Sequence, residues 1–307
     1  MIRPPSLRPG DTLGIAAPSS CLAEAELMPA VELIRKWGLQ VVLGQHVFKS
    51  RNSFAGSDAQ RTADFQRMLD DPSVHAILCA RGGYGAIRII ETLDFTRFRS
   101  NPKWIAGCSD VTVFHSFLQQ QLGIESLHSA MPRVVPPKKP DPVSMESLRA
   151  ALFGEITRHT AMPHRLNRNG EARGTLVGGN LSVLFSLAGS AMEPDTRGKI
   201  LFIEDLGEYL YHIDRMLMNL QLRGMLADLS GLVVGAMSGM KVSGSGYRKP
   251  ACRIIRDAVE GFGYPVMFGF PAGHEHPNLS LYMGREVEMR VAEGECWLGF
   301  EEACRVK

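Results

Sequence analysis

Four short apolar runs, each followed by a segment with apolar residues at helical spacing, constrain the first half of this chain more than any other feature. They are Thr12–Pro18, Val41–Leu43, Val74–Ala80 and Trp104–Ala106. An uninterrupted apolar run reads as a strand buried on both faces. Strands that alternate with amphipathic helices are expected to form a parallel, doubly wound α/β sheet. Behind the first run, Val31, Leu33, Ile34 and Trp37 share a side and Gly38 closes the helix, which is expected to start at Pro29. Ser57 and Asp58 cap a helix reaching Leu69, with Phe65, Met68 and Leu69 inward. Ile87, Ile90 and Leu93 mark the helix after the third run. Val111, Phe114, Phe117 and Leu118 mark the helix after the fourth.

Ligands of doubly wound sheets bind beyond the carboxyl ends of the strands. The loops of interest are therefore Pro18–Ser20, Arg81–Gly85 and Gly107–Asp110. In the last, a strand must become a helix within a few residues, which puts the Ser109 hydroxyl at the tip of the turn. The helix mouth favours negative charge there, and the N–H of the next residue can bond an oxyanion. Ser-Asp before an apolar run is equally an ordinary N-cap. The hydrolase signature Gly-x-Ser-x-Gly is only half matched, because Val111 stands where the second glycine would be. On this stretch alone the capping reading stands ahead. Arg81-Gly-Gly-Tyr-Gly85 fits neither a phosphate loop nor a dinucleotide loop. It is either a tight turn needing positive φ or a backbone surface that approaches a substrate.

The pattern breaks between Met131 and Arg173, where Pro132, Pro136, Pro137, Pro140, Lys138 and Lys139 precede a short helix around Ser144–Leu152 and a polar run over Thr157–Arg173. A domain boundary is expected in that run, giving units of 1–165 and 166–307. The second opens with Gly174–Asn180 and a helix over Leu181–Leu187. The strand Ile200–Ile203 ends in Glu204-Asp205, and Ile213, Met216, Leu217 and Leu220 mark a helix. Strands follow at Leu232–Ala236 and Val266–Pro271, and Glu286–Phe300 alternates as antiparallel strands do.

A nucleophilic serine needs a base, most often histidine, and a group that fixes its tautomer. His274 directly follows a buried strand in the loop Phe270-Pro-Ala-Gly-His-Glu-His-Pro277, whereas His115 lies on the helix after Ser109 and suits the core. A zinc motif starting at His274 would need histidine at 278, where Asn278 stands, so no metal is expected. Glu204-Asp205 is the carboxylate pair best placed to hold a neutral imidazole.

Composition narrows the classes further. With 45% hydrophobic and 21% charged residues and a net charge of +2, neither nucleic acid nor an anionic membrane is an expected partner. No apolar run approaches the ~20 residues of a membrane span, and the first residues carry no signal-peptide pattern. Cys21, Cys79, Cys108, Cys252, Cys296 and Cys304 show no Cys-x-x-Cys spacing, as expected of reduced thiols in the cytoplasm.

Taken in order, Asp11–Ser20, Ala80–Gly85, Gly107–Thr112, Gly178-Gly-Asn180, Phe202–Asp205 and Phe270–His274 resemble the motifs of the LD-carboxypeptidase family of serine peptidases. That family includes murein tetrapeptide carboxypeptidases and microcin C self-immunity peptidases. The resemblance implies a Ser-Glu-His triad of Ser109, Glu204 and His274, assembled across two domains, the second a smaller mixed β/α domain. It implies an oxyanion hole from the N–H groups of Gly83 and Asp110, no cofactor, and a homodimer. The implied reaction is hydrolysis of the amide between an L-centre and a terminal D-amino acid in cytoplasmic muropeptides. Arg81 and Arg215 are candidates for the substrate carboxylate, and Tyr84 and Asn180 for the pocket lining. The competing expectations are an immunity peptidase acting on an aminoacyl-nucleotide amide and a non-catalytic muropeptide-binding module.

Overall fold

The computed structural model describes residues 1–132, 141–244 and 246–300, so Pro136, Pro137, Lys138, Lys139, Pro140 and Cys304 lie outside the described residues. In chain order the first half reads β1 (Thr12–Ala16), α1 (Glu24–Lys36), β2 (Gln40–Leu43), α2 (Asp58–Asp70), β3 (Val74–Cys79), α3 (Ala86–Ile89), α4 (Thr96–Ser100), β4 (Trp104–Gly107), α5 (Thr112–Phe117), β5 (Ser126–His128), α6 (Pro142–Leu152) and β6 (Arg158–Ala161). The second half reads β7 (Gly170–Asn180), α7 (Leu181–Ser186), β8 (Ile200–Leu206), α8 (Leu210–Leu222), β9 (Gly231–Ser238), α9 (Ala251–Ala258), β10 (Val266–Phe268), β11 (Leu281–Met283), β12 (Glu286–Val291) and β13 (Cys296–Phe300).

These strands form a six-stranded sheet, in the order β11-β5-β4-β3-β1-β2, and a seven-stranded sheet, in the order β10-β9-β8-β7-β12-β13-β6. The first is parallel from β2 to β5, as the alternation requires, with β11 antiparallel at its edge. The second is parallel across β7–β10 and antiparallel across β12, β13 and β6. The strands do not sort by sequence position. β6, ahead of residue 165, sits at the edge of the second sheet, while β11, far beyond it, returns to the first.

One apolar cluster joins the two sheets, running from Leu13, Ile15, Leu78 and Leu127 to Phe202, Val233, Phe270 and Tyr282. This shared core fixes the carboxyl ends of both parallel sets relative to each other. A buried ion pair reinforces it: Arg285 donates to Glu125 Oε2 at 2.7 and 3.0 Å and lies 3.5 Å from the Tyr282 ring centre.

Helix α1 corrects the expected start at Pro29, since it begins at Glu24 and contains that proline. The Glu26 carboxylate accepts the Ala23 N–H at 2.8 Å, and Leu27 is fully buried. An anchored first turn thus outweighs the one hydrogen bond that proline removes. Helix α2 starts as its sequence specifies, with Ser57 Oγ accepting the Gln60 N–H and Gln60 returning a bond to Ser57 N–H.

Candidate active site

The carboxyl ends of β1, β3 and β4 deliver three loops to one edge of the first sheet. Ser109 leaves β4 with φ of +62°, left-handed backbone that costs a non-glycine residue about 1 kcal/mol or more. Its N-terminal neighbour Cys108 is extended and the chain after it enters helical turns, so the strain lies at the tip of the elbow.

The Arg81–Gly85 turn lies directly against this elbow. A Cβ on Gly82 would stand 2.8 Å from Ser109 Cβ and 3.1 Å from its Oγ, so only glycine permits the approach. Gly83, at φ +105°, packs on Ser20 Oγ, where a side chain would overlap. The turn is clamped from beneath. Asp110 is buried, and its Oδ2 accepts Ser19 Oγ–H at 2.5 Å and the Ala86 N–H at 2.8 Å. Burial raises its pKa against those hydrogen bonds. Arg61, buried on α2, donates to the carbonyls of Pro18 and Gly85 and also pairs with Asp58.

From the second sheet, β8 carries Glu204, wholly buried, to the same place. His274, in the loop after β10, donates from Nδ1 to Glu204 Oε2 at 2.6 Å, while its side chain keeps 18% exposure. Burial alone would lower the His274 pKa, but the Glu204 bond and charge, with Asp205 behind, raise it overall. Glu204 Oε1 is held by Asn180 Nδ2 at 3.2 Å. The neighbouring Asp205 points elsewhere, to Asn180, Ser182 and the Leu206 N–H, and burial raises its pKa to about 6.

The two edges meet through side chains. Asn180 N–H donates to Thr112 Oγ1, on the helix after Ser109, at 3.0 Å. Asn278 Nδ2 approaches Cys108 Sγ at 3.7 Å while its Oδ1 accepts the N–H of Gly273, next to His274, at 2.9 Å. Residues adjacent to the serine and to the histidine are thereby tied together. Among the described residues, the Ser109 hydroxyl itself makes no hydrogen bond.

The remaining candidates divide. Tyr84 is 53% exposed, with its ring 5.6 Å from Phe54. Arg81 is half-buried and donates to the Cys21 carbonyl at 2.5 Å, which leaves further donors of its fork free of that bond. Asn180 differs from its expected place in the pocket lining. Both its N–H groups go to Glu204 and Asp205, and its Oδ1 accepts from Ser182 and Val183, so it serves the carboxylates. Arg215 is exposed on α8, over the Tyr211 ring, and no described contact links it to these loops. His115 is a core residue: Nε2 meets the Gly107 carbonyl at 3.0 Å, and burial pushes its pKa down to about 4. Cys108 is buried, and its thiol is driven far above the ordinary range.

Ser19 lies in the Pro18–Ser20 loop already of interest, but two contributors escape a reading of the sequence, Arg61 and Asn278. Arg61 alone left a trace, as a basic residue in register with the inward Phe65 and Met68 of α2.

A strained serine at a strand–helix elbow of one sheet, tied through neighbouring residues to a carboxylate-bound histidine from a second sheet, defines a class of two-sheet α/β proteins. The comparisons make the class specific. The LD-carboxypeptidase N-terminal domain matches residues 13–129, and the LD-carboxypeptidase C-terminal domain matches residues 173–289. The chain is 35% identical to a probable murein peptide carboxypeptidase of Bacillus subtilis, over 95% of this chain and 92% of that protein. It is 25% identical to the microcin C7 self-immunity protein MccF of Escherichia coli, over 90% of this chain and 89% of that one. The crystal structure of muramoyltetrapeptide carboxypeptidase from Oxalobacter formigenes superposes with a TM-score of 0.85 at 26% identity, covering 95% of this chain and 99% of that one. The chain belongs to the LD-carboxypeptidase family. No helix among the described residues is long and apolar enough to cross a membrane.

Proposed function

We propose that this protein is a serine carboxypeptidase that releases the terminal D-amino acid of muropeptides during murein recycling. Ser109 is the nucleophile, His274 the general base and Glu204 the acid that fixes the imidazole. The 2.6 Å bond between Glu204 and His274 carries the reading, because a buried carboxylate on Nδ1 leaves Nε2 as the lone pair available to a hydroxyl.

His274 takes the Ser109 proton as Oγ attacks the carbonyl of the L-configured residue. The N–H groups of Gly83 and Asp110 hold the oxyanion, and the strained turn presents them without reorganisation. The imidazolium then protonates the departing amine, and water repeats the sequence on the acyl-enzyme. Arg81 and Tyr84, beside this turn, are the groups proposed to meet the substrate carboxylate and backbone. The division near residue 165 assigns the nucleophile to one part of the chain and the acid and base to the other. A cytoplasmic location and a homodimer accompany the proposal.

The test is turnover of a defined L,D-tetrapeptide, with released D-Ala measured by a coupled oxidase. Similarity to the immunity protein of E. coli supports a second reading, hydrolysis of an aminoacyl-nucleotide amide. Both substrates are offered side by side. Absence of D-Ala release at micromolar enzyme would overturn the first reading, and preferential cleavage of the nucleotide amide would establish the second.

A further inference from the structure

Beneath the Glu204–His274 pair lies a polar group that no step of the reaction uses. His128 ends β5, in register with Gly107 of β4, and is 0% exposed. Among the described residues, neither of its ring nitrogens has a hydrogen-bond partner. Its ring stands edge-on to Phe202, centroids 4.9 Å apart, and Phe202 shares a face of β8 with Glu204. Burial, with the His115 and His274 rings nearby, keeps it neutral, and the Asn278 side chain acts in the opposite direction. A buried imidazole costs desolvation unless something nearby answers it.

Asn278 is the polar side chain that acts on it. It is 2% exposed, and each of its polar groups reaches a different element. Its N–H donates to Ser144 Oγ on α6 at 2.6 Å, and its Oδ1 accepts the Gly273 N–H at 2.9 Å. Its Nδ2 lies 3.7 Å from Cys108 Sγ. One amide thus touches the residue before the nucleophile and the residue before the base, beside the end of β5 where His128 sits in register with Gly107. We propose that Asn278 is the positioning residue that sets the Ser109 loop against the His274 loop, with His128 as the ring that fixes the orientation of its amide.

The inference rests on the proposed roles of Ser109 and His274, so its test reads serine reactivity independently of any peptide. A phosphonofluoridate probe labels an activated serine when Oγ attacks phosphorus, a P–O bond forming as fluoride departs and the hydroxyl proton passes to His274, and mass spectrometry gives the rate at Ser109. Asn278→Ala is expected to slow labelling about 100-fold, the scale of an ångström-sized misplacement. Its kcat on tetrapeptide should fall equally while KM stays within about threefold, because neither buried residue faces the cleft. His128→Phe keeps the ring shape but removes the polar edge beside the Asn278 amide, and should slow labelling by a smaller factor, about fivefold. His128→Gln, which restores a polar partner, should recover most of that loss.

The double variant Asn278→Ala/His128→Phe should be no slower than Asn278→Ala alone, and multiplying effects would overturn the pairing. An Asn278→Ala protein labelled at the wild-type rate would overturn the inference while leaving the nucleophile in place. A wild-type protein whose Ser109 takes no label would overturn the reading of the site, and this inference with it. Where Asn278→Ala loses its cooperative thermal transition, the two His128 variants decide alone: equal rates for Phe and Gln would overturn the proposal.

Discussion

The edge that carries the proposed nucleophile and the edge that carries the proposed acid and base are built in different materials. Around Ser109 the working groups are backbone: a left-handed φ, a glycine that admits the neighbouring turn, and a turn held from behind by Asp110 at the Ala86 N–H and by Arg61 at the Gly85 carbonyl. Around His274 they are side chains in a row: Ser182 donates to Asn180, Asn180 donates to Glu204, and the imidazole donates to Glu204 from the other side. A backbone device has no proton to lose and fails when an atom is added. A side-chain relay fails when an acceptor is removed, and it answers to pH. The difference teaches where each half is vulnerable.

The largest effect belongs to the atom both halves serve. Ser109→Ala should lower kcat by about 10⁶, the scale for removing the nucleophile of a serine hydrolase. It should also relax no neighbour, since the hydroxyl bonds to none of them. D-Ala release within tenfold of wild type would break the assignment outright. Next comes the relay. Glu204→Gln should cost about 10⁴ in kcat near neutrality, because an amide stabilises the wrong imidazole tautomer and cannot offset the imidazolium. The same variant moves the pH profile. His274 must be neutral to act, so kcat/KM falls as pH drops through its pKa, which Glu204 and Asp205 hold above the usual value of about 6.5. With Glu204 neutralised, burial outweighs what remains and the acid limb should shift downward. An unmoved limb would mean that another group sets it.

The same contrast explains how much the sequence disclosed. The serine turn was legible because its parts are contiguous: apolar run, Gly107, Ser109, then helical spacing, with the glycines of Arg81–Gly85 beside it. Strand–helix alternation likewise gave the first sheet as far as β4. The relay was not legible residue by residue. Glu204 and Asp205 lie on opposite faces of β8, one with Phe202 toward the shared core and one with Ile203 toward the other. Nothing local states which face meets the cleft. β5 and β11 span three residues each, too few for any periodicity, yet they place His128 and carry the chain back to the first sheet. Pro29 misled because a proline is a good helix start, and only the buried Leu27 shows that the helix is already under way.

A smaller effect tests the backbone half by addition. Gly82 has no left-handed requirement, so Gly82→Ala should fold, but its methyl would press on Ser109 Cβ at 2.8 Å. Displacing the nucleophile by a fraction of an ångström should cost about 10²-fold in kcat with KM little changed. Wild-type turnover in a well-folded Gly82→Ala protein would show that the Arg81–Gly85 turn does not seat on the serine.

The smallest expected effect concerns the thiol beside the nucleophile. Cys108 differs from Ser109 by one position, but the turn sends the hydroxyl to the tip and the thiol inward, where it is buried next to Asn278. A thiolate is the species that alkylates, and desolvation together with the Glu204 charge holds this thiol protonated well above neutral pH. Iodoacetamide at pH 7.5 should therefore leave Cys108 unmodified and activity within about twofold, while the partly exposed Cys21 takes up label. Peptide mapping by mass spectrometry reads both sites in one digest. Alkylation of Cys108 as fast as Cys21 would mean that the elbow opens to solvent in the resting protein. The backbone-built half would then be the softer of the two.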